Sequence, residues 1–119
     1  MINAFQINGS QAAELISEEL LIADVDSGSQ LFIDLYYQGF DIFFFHQKNI
    51  TPAFFDLSSG MAGELLQKAS NSKVRLAFIG NFDVYNSKSL RDFIRESNRY
   101  GRILFVNSAE EAKTRFEKG

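Results

Sequence analysis

The sequence predicts an α/β fold of order ββαβαβαβα, with a mixed, mostly parallel sheet and helices packed on it. Three observations carry this expectation. Short apolar runs alternate with segments of helical spacing along the chain, a pattern that makes neighbouring strands parallel through right-handed helical crossovers. The run "DIFFF", Asp41 to Phe45, is apolar without alternation, as a strand covered on both faces must be. Near the start, Asn8-Gly9 supplies the positive φ of a tight turn, so the first two strands form a hairpin and the sheet is mixed.

Taken in order, "INAFQI" and "QAAELIS" flank Asn8-Gly9-Ser10 as the hairpin strands. From about Asp24 to Tyr37, Val25, Leu31, Phe32, Leu35 and Tyr36 fall on one helical stripe, with Gly39 as its stop. Gly28 weakens the start of that stripe, which moves the expected helix start toward Ser27 or Ser29. After "DIFFF", Thr51-Pro52 is a helix opening, since threonine caps and proline tolerates the first helical position. Ser58-Ser59-Gly60 interrupts it and restarts a helix through Met61, Leu65, Leu66 and Ala69. "KVRLAFIG" is a strand ending at Gly80, and "NFDVYNS" a polar loop. Ser87 then caps a helix with Leu90, Phe93 and Ile94 inward. "RILFV" is the last strand, and Ser108 with Glu111 makes a capping box for the last helix.

The bulk properties narrow the function classes. The 119 residues suit one domain with a single core, and 45% hydrophobic with 23% charged residues is the composition of a globular chain. A net charge of −3 gives no footprint for nucleic acid or for an anionic membrane surface. With no cysteine there are no disulfides, thiol nucleophiles, zinc–thiolate sites or iron–sulfur clusters. "MINAFQINGSQ" lacks the pattern of a secretory signal, and no apolar run nears the ~20 residues of a bilayer span. A cytoplasmic location is expected.

Two family resemblances attach to particular residues. The stretch "HQKNITPAFFDLSSGMAGELLQKASNSKVRLAFIGNF", with "SKSLRDFIRESN" after it, closely resembles a bacterial family known only as a domain of unknown function. That resemblance spans nearly the whole chain and is strongest from His46 to Asn98. More distantly, the element order resembles the STAS domain of sulphate transporter tails and anti-sigma-factor antagonists. In that fold an Asp-Ser-Ser-Gly loop opens the second helix, and in the antagonists a partner kinase phosphorylates its first serine. The counterpart here is Leu57-Ser58-Ser59-Gly60, with leucine in place of the aspartate and Asp56 one position early. The resemblance therefore implies one STAS-like domain over residues 1–119, with Ser58 matching the phosphorylated serine.

Several residues carry possible chemistry. Ser58 and Ser59 at a helix start either cap free N–H groups, the commoner role, or hold a phosphate favoured by the helix dipole. His46 is the single histidine. With Asp56 and Ser58 it has the composition of a Ser-His-Asp triad, but no Gly-x-Ser-x-Gly elbow is present. A lone histidine ending an aromatic strand is more often packed with one nitrogen hydrogen-bonded, and scattered carboxylates give no metal-ligand spacing. "GSQAAELISEE" and "SGMAGELL" lack the spacing of a phosphate loop; the small residues of "SGMAG" would let the helix pack closely. Loops after parallel strands gather at one end of such a sheet, where ligands usually bind. That places Asp83, Tyr85, Lys88 and Arg91 in an expected polar patch beside Ser58-Ser59, adjoining His46 and Asn49. The phenylalanines at 43–45, 54 and 55 are expected in the core.

The leading expectation is a regulatory or protein-interaction domain with no cofactor and no metal. Its contact or phosphoswitch surface would centre on Asp56, Ser58, Ser59 and Gly60, for an unidentified protein partner. The alternative is a small-molecule or anion-binding domain using the loops at the C-terminal ends of the parallel strands. No acid–base pair or activated nucleophile can be defended from the residues, and the sequence leaves the oligomeric state open.

Overall fold

Asn8 and Gly9 both stand at positive φ, 51° and 87°, and the chain doubles back there. β1 (Ile2–Ile7) pairs antiparallel with β2 (Ser10–Leu15), from Ile7 opposite Ser10 to Ile2 opposite Leu15. In this computed structural model, which describes residues 1–119, β3 (Ile42–His46), β4 (Arg75–Ile79) and β5 (Ile103–Val106) follow. Each lies parallel to the strand before it. The crossovers are α1 (Val25–Tyr37), α2 (Met61–Asn71) and α3 (Lys88–Tyr100), and α4 (Ala109–Lys118) closes the chain. The order ββαβαβαβα and the mixed, mostly parallel sheet are as expected.

The strand order β1-β2-β3-β4-β5 decides where the helices go. Right-handed crossovers that always step the same way put their helices on the same face. Phe43, Phe45, Leu76, Phe78 and Phe105 accordingly share one buried cluster with Phe32, Leu65 and Leu90 of the crossover helices. Alternate residues, Ile42, Phe44, Ala77 and Leu104, point the other way and share a second cluster with Ala112 and Phe116 of α4. Three helices thus cover one face and a single helix the other. All of Phe43 to Phe45, Phe54 and Phe55 are buried.

Local details depart from the pattern in instructive ways. α1 starts at Val25, not at Ser27 or Ser29, because Asp24 and Ser27 form a reciprocal capping box. Gly28 lies inside the helix because Leu65 and Ile22 leave it no room for a side chain. Tyr36, placed on the inner stripe by spacing, is exposed. Thr51 gives no side-chain cap; Pro52–Phe55 and Leu57–Ser59 are short 3₁₀ turns, and α2 begins only at Met61. Ala62 is buried, but Gly63 faces open space, so close packing explains only half of "SGMAG". Ser108 caps α4, yet Glu111 reaches back to the Asn107 amide instead of the cap residue's own. No helix is long and apolar enough to cross a membrane.

Candidate functional site

The loops at the C-terminal ends of β3 and β4 do meet, and Gln47 joins them. Its Oε1 accepts from the Asn81 amide at 2.8 Å, and its Nε2 donates to the Tyr85 hydroxyl at 3.1 Å. Gly80 is required there, since any side chain would collide with Gln47. The Tyr85 ring stacks on Phe55 with centroids 5.0 Å apart and planes within 16°. Tyr85 therefore belongs to an aromatic wall with its hydroxyl already engaged.

The Asp56–Gly60 turn is held by its own side chains. Asp56 Oδ1 accepts from the Ser58 hydroxyl at 2.7 Å and from the Ser58 amide at 3.1 Å. Ser59 Oγ donates to the Ala53 carbonyl at 2.7 Å and accepts from the Met61 amide at 3.2 Å. Gly60, at φ 78°, directly precedes α2, so neither serine is its cap residue. Both hydroxyl protons are committed within the chain, and a phosphate on Ser58 would meet the Asp56 carboxylate.

Further along, Lys88 bonds Asp92 at 2.8 Å on its own helix, and Arg95 bonds the other oxygen at 2.6 Å. The Lys88 hydrogen bond, reinforced by the charges of Lys88, Arg95 and Arg91 against a desolvation penalty, holds the Asp92 carboxyl below its ordinary range. Asp83 and Arg91 share a cleft of about 260 Å³, without a hydrogen bond or ion pair between them. Neither serine lines that cleft. Asn49 is turned elsewhere: it is 1% exposed, and its Nδ2 donates to the carbonyls of Ser17 and Glu19, both at 2.8 Å. Its Oδ1 has no partner. Its main-chain carbonyl also takes the amides of Leu21 and Ile22, so it clasps the segment between β2 and α1.

His46 has the partner that the sequence did not disclose. Its Nε2 lies 2.7 Å from Glu14 Oε2, while Glu14 Oε1 accepts from Asn3 Nδ2 at 3.4 Å. The Glu14 side chain is 12% exposed and that of His46 29%. A buried carboxylate is tolerated when its oxygens are bonded, and both are. Glu14 stands opposite Phe44 in the parallel register, so His46 is its diagonal neighbour on the same face. That face belongs to α4, which runs from β5 to the hairpin, where Asn8 Nδ2 donates to the Glu117 carbonyl at 3.0 Å. Its path leaves the upper ends of β2 and β3 bare. Glu14 and His46 open there into a cleft of about 450 Å³ with Ile16, Ser17, Glu18 and Lys48, none of them from α4. Lys48 Nζ bonds both Glu18 oxygens, at 3.0 and 3.1 Å.

A carboxylate only accepts hydrogen bonds, so in a neutral ring Nε2 donates and the lone pair stands on Nδ1. Nδ1 makes no hydrogen bond in the chain. The arrangement can orient an imidazole and receive a donor from outside, with a lysine nearby to meet negative charge. No three histidine or carboxylate groups converge as metal ligands. The signal that could have found this pair is a charge at Glu14 amid the apolar residues Ala12, Ala13 and Leu15 of its strand, next to the strand that ends in the single histidine.

A family model with the description "Domain of unknown function (DUF4180)" matches residues 7–116 of the chain. No curated protein and no solved structure matches it. None of these findings supports a relationship to the STAS domain.

Proposed function

From the premise that this chain belongs to the DUF4180 family, we propose that it is a binding domain for a small polar ligand, held at the Glu14–His46 corner. The observation that carries this reading is the carboxylate-held imidazole: a rigid, sheet-borne histidine with an unused ring nitrogen, in a cleft that α4 does not line. Ligands of open α/β sheets bind beyond the carboxyl ends of the parallel strands, and this cleft lies there. A ligand donor would bond His46 Nδ1, and an anionic group on the ligand would draw Lys48 from its exposed partner Glu18. The exchange is cheap, because an exposed lysine–glutamate pair contributes little. A carboxylic acid that also carries a hydroxyl or amine fits both demands.

The partner-contact reading at Asp56, Ser58, Ser59 and Gly60 keeps an exposed turn in its favour, but its hydroxyls are already bonded internally. It therefore stands second. The single histidine makes the test direct, since its imidazole signals in a proton–nitrogen spectrum are unique. The probe is a panel of small hydroxy, amino and dicarboxylic acids, with sodium chloride as ionic-strength control. The expected result is a saturable shift of the His46 ring and the Ser17 and Lys48 amides for at least one acid, lost in Glu14→Gln. No saturable shift at His46 across the panel would overturn the reading, and a response centred on Ser58 would favour the other.

A further inference from the structure

The two edges of the sheet are finished differently. On β5, Asn98 of α3 bonds both main-chain groups of Phe105: its Oδ1 accepts from the amide at 2.8 Å and its Nδ2 donates to the carbonyl at 3.1 Å. Ser97 Oγ bonds the Ile103 carbonyl at 2.5 Å. Side chains thus occupy the positions that another strand would need. β1 has no such cover. Met1 and Ile16 exchange main-chain bonds, and Ile7 faces Ser10 across a two-residue turn. Residues 1, 3, 5 and 7 therefore turn their N–H and C=O groups toward β2. The groups of Ile2, Ala4 and Gln6 point outward.

Open edges are templates for another strand, and proteins usually guard them with charge, proline or a bulge. β1 carries none of these. No charged side chain and no proline occurs from Met1 to Gln11, and the pairing with β2 is unbroken. We propose that this edge takes a second copy of the chain, pairing β1 with β1 antiparallel about a two-fold axis through Ala4. Two-fold symmetry sets residues near the axis against their own counterparts, so a fixed charge there would face itself. A strand without charged side chains suits a like partner, since no side-chain charge of β1 would meet itself across the axis.

In this register Ala4 faces Ala4 and Ile2 faces Gln6, exchanging about six main-chain hydrogen bonds. The exposed, small Ala4 side chain lets the strands close at the axis. Asn3 then stands opposite Phe5 of the second copy, on the face where Asn3 bonds Glu14. The dimer thus walls the Glu14–His46 corner on its β1 side, although the pairing itself does not depend on any ligand.

Sedimentation velocity of the full chain from about 5 to 500 μM tests this, because a single strand pair is a small interface whose dissociation constant belongs on the order of tens of micromolar. The expected result is a concentration-dependent dimer. Ala4→Lys and Ala4→Glu should each raise its dissociation constant about tenfold or more, through like charges at the axis, and an equimolar mixture of the two should restore it. Slowed amide exchange of Ala4 and Gln6 at high concentration in the unaltered chain is the parallel readout, independent of how the variants fold. A chain that stays monomeric throughout, or a dimer that survives both substitutions, overturns the proposal.

Discussion

Leu65 lies so close to Gly28 that a Cβ built on the glycine would stand 2.8 Å from its Cδ1, with Ile22 Cγ2 at 3.1 Å on another side. Leu65 and Ile22 are both fully buried, so neither moves freely aside. This contact joins α1 to α2 and sets how near the two helices come.

Gly28→Ala is therefore expected to destabilise the protein by about 1–3 kcal/mol through overpacking, although alanine is the better helix former. Gly63→Ala is the matched opposite, since that glycine lies in α2 with open space around it. There the gain in helix propensity acts alone and should stabilise by up to about 1 kcal/mol. Urea midpoints of the two variants should move in opposite directions; a gain in both would refute the steric account of Gly28.

Asn98→Ala removes both side-chain bonds to Phe105 and exposes the outer edge of β5. A loss of about 1–3 kcal/mol is expected from the unsatisfied main-chain groups. The variant should also aggregate more readily on mild heating, read by light scattering, because the bared edge can pair.

Asn49→Ala leaves the Ser17 and Glu19 carbonyls without their buried donor, at an expected cost of about 2 kcal/mol. Asn49→Asp should be worse, since a carboxylate would face those two carbonyls with no proton to give. Chemical denaturation checks the order unaltered, alanine, aspartate. An aspartate variant as stable as the unaltered chain would show that the clasp does not hold the segment.

The Asp24 carboxyl is lowered below its ordinary range by the Ser27 amide, then by the Ser27 hydroxyl, against a smaller desolvation effect. A carboxyl lowered in the folded state binds a proton more readily when unfolded. Its stabilisation is complete above the ordinary carboxylate range and fades as pH falls through the lowered value. Asp24→Asn keeps a capping acceptor but not this titration. The difference in thermal midpoint between the two proteins should shrink from about pH 6 to about pH 3, while the Asp92 contribution stays in both.

How much of this was legible in the residues depended on whether the cause was local. Asn8-Gly9, Gly39, Ser87 and Ser108 act within a few positions of themselves, and each marks the boundary that it was expected to mark. Ser58 and Ser59 were legible as a turn, but one residue of left-handed backbone at Gly60 delays α2 and makes Asp56 the acceptor. Asn49 reads as one more polar loop residue until the chain is folded around it. Glu14 was the hardest to see, since its partner is 32 positions away and meets it only through the parallel register. Spacing along one strand shows which face a side chain takes, not what waits on the neighbouring strand.

The strand order has a consequence for how the chain is made. Because β1 to β5 lie side by side in the order in which they are synthesised, each strand leaving the ribosome can dock on one already laid down. The last helix breaks that rule. α4 is the only cover for Ile42, Phe44, Ala77 and Leu104, and it ties Glu117 to Asn8 across 109 positions. Until α4 has emerged, the growing sheet carries one finished face and one greasy one. Truncation before Ala109 should leave a nascent chain that recruits chaperones, however complete its sheet.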